Sequence, residues 1–375
     1  MKKMRIGILF GGRSGEHEVS IMSARSILEV IDRKKYEVVM IGITKQGRWI
    51  CGDDSMIVLE TDHAAIDSAS AAALLADPAI NSLFKVSGRA GGREFALSRV
   101  VDLDVIFPVL HGTYGEDGAM QGFFELADIA YVGSGVLGSA VAMDKGIFKS
   151  VMRAAGLPVL PAVIFNRSEY QMDPGAVINK VLQELTFPLF VKPVNLGSSV
   201  GVTKASNPEA LRSGLDEAAR WDRRLLVEQG IEAREIEVSV LGNDVPNASV
   251  AGEIVTQGEF YDYEAKYLTD ESEFLIPAPI PEAQLERVRR LAVAAFKAAD
   301  CAGMARVDFL LEKSSNELFL NELNTIPGFT NVSMYPKLWK ASGLEYTEII
   351  DRLIELALER KEQRDCVEHS FEVMH

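Results

Sequence analysis

Two short strand-like runs late in the chain, Arg306 to Leu311 and Leu318 to Asn324, constrain its fold more than any other feature. The polar stretch Lys313 to Glu317 between them reads as a turn, so the pair predicts an antiparallel hairpin. Side chains alternate across a strand. That puts Arg306, Asp308 and Leu310 on one face, and Leu318, Leu320, Glu322 and Asn324 on one face of the partner. A hairpin folded about Ser315 sets Asp308 opposite Glu322 and Arg306 opposite Asn324. Facing carboxylates repel, so the arrangement makes sense mainly with a hard cation between them. Oxygen donors from Asp, Glu and Asn suit Mg²⁺ or Mn²⁺, whose shells are completed by water and phosphate oxygens, and this points to nucleoside triphosphate chemistry. Taken alone, the same residues would also suit a solvated hairpin face.

The rest of the chain supplies a frame for such a site. Strand-like and helix-like segments alternate from the start, the pattern of an α/β protein. Ile6 to Phe10 reads as a buried strand, Gly11 to Gly15 as a loop, and Ile21, Ala24, Ile27, Leu28 and Ile31 as the apolar stripe of a helix. Tyr36 to Ile43 and Val105 to Leu110 predict further strands, the second ending at His111. Residues 62–99 are rich in Ala, Ser and Gly and read as an insertion carrying one helix. A helix over Met143 to Ala155 is stopped by Gly156 and Pro158, and the chain ends in an amphipathic helix, Thr347 to Lys361, and a polar tail. These breaks predict an N-terminal parallel α/β domain over 1–140, a central domain over 141–230 and a C-terminal domain over 231–375.

A net charge of −15 argues against nucleic acid or an anionic membrane as partner. The apolar run Ile6 to Phe10 stops at Gly11-Gly12, too soon for a signal-peptide core, and no segment approaches the ~20 apolar residues of a membrane span. The 3 cysteines are widely spaced, which fits a reducing compartment. A cytoplasmic protein is expected.

Three other segments carry chemistry. In Phe190 to Val202, Lys192 ends a strand and is followed by a loop of small residues whose N–H groups suit nucleotide phosphates. It is not a Walker loop, because no Gly-Lys-Ser/Thr follows the glycines. Gly197 to Gly201 does satisfy the G-x-S-x-G pattern of a hydrolase elbow. That elbow needs a following helix and a downstream histidine, whereas a strand is predicted here and the only later histidines are His369 and His375. His111 to Gly118 follows a strand, where α/β sheets place ligands, and with Gly11 to Glu16 it would line one crevice. There Glu16 could anchor a substrate ammonium. A histidine before GEDG also suits a capped helix entry. Phe260 to Leu268, aromatic and charged without period, reads as a surface loop or, beside a nucleotide, a lid over 260–269.

Taken together, these segments resemble the D-alanine–D-alanine ligases of the ATP-grasp superfamily over nearly the whole chain. GGRSGEHEVS, HGTYGEDGAMQG, AMDK with VKPVNLGSSVGV, YDYEAKY, and RVDF with NELNTIPGFT fall in the family's order. The resemblance implies a three-domain architecture with nucleotide between the central and C-terminal domains, ATP with two Mg²⁺ or Mn²⁺ ions, and a homodimer. It makes Glu16 the anchor of the first D-alanine ammonium and His111 its neighbour. Lys145 and Lys192 would contact phosphates and adenine, and Glu228 and Glu235 adenine and ribose. Lys266 would reach the γ-phosphate, and Tyr267 would bond to Ser198 to order the lid. Arg306 and the Gly328 backbone would stabilise the oxyanion, Asp308, Glu322 and Asn324 would bind the metal ions, and Ser333 would hold the second carboxylate. A tyrosine at 267 accompanies peptide-forming relatives, where ester-forming ones carry phenylalanine or histidine. Ligation to D-lactate or D-serine, another carboxylate-amine ligation of the glutathione-synthetase kind, and a nucleotide-binding regulator without catalysis stay open as alternatives. HGTYGEDG speaks against the second, and the intact set Lys192, Arg306, Asp308, Glu322 and Asn324 against the third.

Overall fold

A computed structural model describes residues 2–52, 54–61, 71–88, 95–255 and 273–368. The first part of the chain runs β1 (Met4–Gly11), α1 (His17–Val30), β2 (Tyr36–Ile43), β3 (Trp49–Cys51), α2 (Ser55–Thr61), β4 (Ala72–Leu74), β5 (Ser82–Gly88), β6 (Phe95–Asp102), β7 (Val105–Val109), α3 (Ala119–Leu126), β8 (Ala130–Tyr131) and α4 (Val136–Met143). Its main sheet has the order β3-β2-β1-β7-β8, and β1 is parallel to both β2 and β7. Parallel strands covered on both faces read as unbroken apolar runs, as Ile6 to Phe10 does. The chain leaves β1 for β2 on one side and returns to β7 on the other. Such a switch point opens a crevice at the strands' C-terminal ends. Gly11 makes the exit possible: its φ is +91°, and a Cβ there would lie 2.2 Å from the Ile43 carbonyl oxygen.

The stretch read as an insertion with one helix is different where it is described. β4, β5 and β6 form a three-stranded antiparallel sheet, and residues 62–70 and 89–94 lie outside the described residues. Alternation was hard to see because β6 is largely exposed on both faces, so burial imposed no apolar period on it.

The middle of the chain holds α5 (Lys145–Ala154), β9 (Ala162–Asn166), α6 (Arg167–Met172), α7 (Pro174–Glu184), β10 (Leu189–Pro193), β11 (Thr203–Ala205), α8 (Pro208–Trp221) and β12 (Arg224–Gln229). The predicted helix over Met143 to Ala155 breaks at Asp144, which ends α4 and caps α5 by accepting from the Ile147 N–H at 2.8 Å. Asp173 and Asn207 cap α7 and α8 in the same way, each followed by a proline whose missing N–H is no loss at a helix start. The sheet order is β11-β10-β12-β9, all antiparallel.

The last part runs β13 (Ala233–Gly242), β14 (Asn247–Val255), β15 (Glu273–Leu275), α9 (Glu282–Ala298), β16 (Gly303–Glu312), β17 (Leu318–Asn324), α10 (Met334–Ala341) and α11 (Tyr346–Asp365), with sheet order β15-β14-β13-β16-β17. Nearer the turn Leu311 pairs with Leu318, one residue out of the register that a centre at Ser315 implies, while Arg306 lies opposite Asn324 and Asp308 opposite Glu322, the two expected pairs. One expectation fails. A bulge next to this pair sets Phe309 opposite Leu320, so Leu318 and Leu320 lie with Leu323 in the core, while Glu322 and Asn324 face the other way. An extra residue in a period-two strand turns every later side chain to the opposite face.

The C-terminal helix packs back on the first sheet. Ile349, Ile350, Leu353 and Ile354 share one core with Ile6, Ile8 and Phe10, and Arg360 sits 4.1 Å over the Tyr131 ring. No helix among the described residues is long and apolar enough to cross a membrane.

Candidate active site

A cleft of about 1030 Å³ lies where the three large sheets meet. From the first sheet it receives Glu16 and His111, from α5 and the second sheet Lys145, Lys192, Ser198 and Glu228. From the third come Glu235, Arg306, Asp308, Glu322 and Asn324, and from the loops after β17 Gly328 and Ser333. Lys266 and Tyr267, with the rest of 260–269, lie outside the described residues.

Glu16 stands at the start of α1, after the first β-loop. Ser198 Oγ donates to its Oε1 at 2.5 Å, joining residues 182 apart in the chain. Two glycines give the carboxylate room. A Cβ on Gly112 would lie 2.6 Å from Glu16 Oε2, and one on Gly197 would lie 3.0 Å from the same atom. Ser198 and Ser199 have φ of +51° and +58°, uncommon for residues with a side chain and found where a loop is shaped for a ligand. The hydrolase-elbow reading fails on the structure: β11 follows the loop where a helix is needed, and Ser198 donates to a carboxylate where a histidine base is needed.

His111 and Glu116 grip one residue of the distant loop after β17. His111 Nδ1 lies 2.9 Å from the Ile326 carbonyl oxygen, which can only accept, so Nδ1 carries the proton. Nε2 then accepts from Ser23 Oγ at 3.2 Å. Burial lowers the His111 pKa, and the neutral ring fits both contacts. Glu116 accepts the Ile326 N–H at 3.0 Å through one oxygen and the Gly112 N–H at 2.7 Å through the other. The GEDG segment thus serves as a clamp between sheets, in addition to the helix entry at Ala119, where Asp117 accepts the backbone N–H at 3.0 Å.

Burial, and next the charge of Glu16, push the Glu116 carboxyl up to about 8, against the pull of its two backbone donors. Its ordinary value is about 4.3. Between these pH values the folded protein holds a proton that the unfolded chain has lost, so stability falls as pH rises through that window. Wild-type protein should therefore lose more thermal stability from pH 5 to pH 8 than a Glu116→Gln variant. Parallel melting profiles for the two proteins would refute the assignment.

On the third sheet a row of acids crosses β13, β16 and β17: Glu237 opposite Asp308, and Asp308 opposite Glu322. The repulsion expected between the facing carboxylates is relieved by the protein itself. Arg306 donates to both oxygens of Asp308 at 2.8 and 2.6 Å and lies 3.0 Å from Glu237, while Lys145 Nζ stands 3.8 Å from Glu322. Repulsion alone thus does not demand a cation. The case for a metal rests on donor chemistry instead. Among the described residues no group of three or more His, Cys, Asp or Glu gathers as a metal site. Two carboxylates, Asp308 and Glu322, and the Asn324 amide line one wall, and their oxygens are donors of the kind that could hold Mg²⁺ when phosphates supply the rest of its shell. Asn324 Nδ2 bonds to Asp308 at 3.0 Å, which aligns the two donors.

Lys145 donates to the Leu196 carbonyl oxygen at 2.8 Å, and Lys192 to Glu228 at 2.6 Å. Ser333 Oγ accepts the Thr330 N–H at 3.0 Å and stands at the start of α10, where free N–H groups favour an anion. Sequence reasoning missed Glu116, Glu237 and Lys149. Glu237 shares the Arg306 face, but its partner strand is far away in sequence. Lys149 had one available signal, its place one helical turn after Lys145.

The chain matches the family models described as D-ala D-ala ligase N-terminus over residues 5–134 and D-ala D-ala ligase C-terminus over residues 151–355. It is 47% identical over 365 residues to the D-alanine–D-alanine ligase of Natranaerobius thermophilus, covering 97% of this chain and 98% of the relative. It is 50% identical over 365 residues to that of Ruminiclostridium cellulolyticum, covering 96% and 97%. Among solved structures, the D-alanine-D-alanine ligase from Coxiella burnetii superposes with a TM-score of 0.83 at 37% identity, covering 97% of each chain. The VanG D-Ala:D-Ser ligase from Enterococcus faecalis superposes with a TM-score of 0.82 at 34% identity, covering 95% of this chain and 100% of the other.

Proposed function

The chain belongs to the D-alanine–D-alanine ligase family, ATP-grasp enzymes of peptidoglycan synthesis, and from that premise we propose how its cleft joins two D-alanines to D-alanyl-D-alanine with ATP. One observation carries the assignment of residues. Every described side chain expected in the site, from three separate sheets, lines a single cleft.

A carboxylate is a poor electrophile, so the first D-alanine is activated as an acyl phosphate and the amine of the second displaces phosphate. Glu16, held by Ser198, takes the first ammonium, with the neutral His111 beside it. Lys145 and Lys192 meet the phosphates and adenine, and Glu228 and Glu235 the adenine and ribose. Asp308, Glu322 and Asn324 would hold two Mg²⁺ or Mn²⁺ ions, which when bound neutralise phosphate charge. Arg306 and the Gly328 N–H face the oxyanion of the second step, where fixed donors in a site closed to water act most strongly. Ser333 takes the second carboxylate. The family resemblance gives Lys266 the γ-phosphate and Tyr267 a bond to Ser198, and a lid over 260–269 would serve to keep water from the acyl phosphate.

The sheets favour a division near 140 and 230, with the first border better placed after α4 at Met143. The family resemblance supports a homodimer and a cytoplasmic enzyme.

The test is competition between second substrates. Given D-alanine with D-lactate or D-serine near neutral pH, the enzyme should make mainly D-alanyl-D-alanine. Tyr267→Phe should gain ester product, because one buried hydrogen bond is worth about 1 to 3 kcal/mol, roughly tenfold or more in preference. Chromatography showing D-alanyl-D-lactate or D-alanyl-D-serine as the main product of the unmodified enzyme would overturn the D-alanine assignment.

A further inference from the structure

Helix α5 carries two lysines one turn apart, and they do different things. Lys145 lines the cleft. Lys149 lies behind the cleft wall with its side chain 3% exposed, its Nζ ion-paired to Glu228 Oε1. The other Glu228 oxygen, Oε2, is 2.6 Å from Lys192 Nζ. Lys149, Glu228 and Lys192 thus form a buried row of alternating charge in which only the last two reach the cleft. The row is built on a fixed frame. Asp144, the cap of α5, is tied to Arg224 at 2.6 Å, and Arg224 begins β12, the strand that carries Glu228.

Burial alone would neutralise Glu228, yet the two lysines override it and hold the carboxyl at about 2. Burial also pulls Lys149 down from the usual lysine range, with Glu228 opposing. For Lys192 burial acts in the same sense, but Glu228 outweighs it and the net shift is upward. A carboxylate shared by two ammonium groups leaves the row with a net positive charge. Without Lys149, Glu228 and Lys192 would cancel, and the carboxylate would be held from one side only.

We propose that Lys149 is a positioning residue for the nucleotide: it balances Glu228 from the protein side, aims that carboxylate at the base, and leaves the Lys192 charge available to the bound anion. The proposal rests on the reading of Lys192 and Glu228 as nucleotide contacts. A carboxylate so aimed accepts from the exocyclic amine of adenine and repels the carbonyl oxygen that guanine carries at the same place. Lys149 therefore contributes to the choice of ATP over GTP without touching either.

The test compares Lys149→Met, Lys149→Gln, Lys149→Arg and Glu228→Gln by steady-state kinetics with ATP, GTP and D-alanine. The Met and Gln variants should raise KM for ATP about tenfold and narrow the ATP to GTP ratio of kcat/KM, with KM for D-alanine moving less than about twofold. Arg should restore most of the ATP affinity. Should Lys149→Met not fold, Gln and Arg carry the same comparison. An unchanged KM for ATP, or equal changes for both substrates with the ATP to GTP ratio preserved, would overturn the proposal. Glu228→Gln separates the two levels: if it leaves KM for ATP unchanged, the nucleotide reading of Glu228 fails. If it raises that KM while the Lys149 variants do not, only the role of Lys149 fails.

Discussion

Glu322→Ala protein should form no measurable ADP from ATP and D-alanine at ordinary Mg²⁺, a loss of at least about 10³ in kcat, while keeping its fold. Charge neutralisation in phosphoryl transfer supplies several kcal/mol of barrier lowering, and each 1.36 kcal/mol is about tenfold in rate. The stability cost is expected to be small. Glu322 is 27% exposed, and Lys145 Nζ stands 3.8 Å from it, a geometry worth about 0 to 1 kcal/mol. Asp308→Ala should be as inactive but less stable, because Asp308 also receives two Arg306 bonds and one from Asn324. Phosphate release with circular dichroism on both variants decides this. Wild-type turnover by Glu322→Ala would end the metal-pair assignment.

Arg306→Lys should lower kcat by about 10² to 10³ with KM for ATP little changed, the loss seen when one donor to a developing oxyanion is removed. Lysine keeps the charge but loses the fork. Arg306 is held between Glu237 and Asp308 by contacts of 3.0, 2.8 and 2.6 Å, and a single ammonium cannot reproduce that two-sided hold while facing a substrate. Alanine would be a poorer probe, since it would leave Glu237 and Asp308 buried without their counter-charge. Stopped assays over the first turnovers measure the effect. A kcat within about threefold of wild type would remove Arg306 from the reaction.

Much of this site was legible before any fold was known, for local reasons. The motif residues follow from side-chain type and short spacing, but Asp308 meets Glu322 only because a bulge compensates a turn centred between Ser314 and Ser315, where Leu311 pairs with Leu318. The Asp144 cap, in contrast, splits what looked like one helix start, since a capping residue can sit inside an apolar run without disturbing its period. The bulge beside Glu322 was invisible for a related reason. Alternation in Leu318 to Asn324 fits either phase, and only packing of Leu323 beside Leu318 and Leu320 selects the one observed.

The sequence by itself determined the α/β class, the order of the motifs and the chemistry available in each, because these follow from side-chain type and short spacing. Only the tertiary structure decided which groups complete one another. Lys149 lies under Glu228, His111 and Glu116 share Ile326, and α11 closes the core of the first sheet. Each of these joins elements far apart in the chain. Their energies come from burial and charge compensation between surfaces that meet only after folding, and no local period records them.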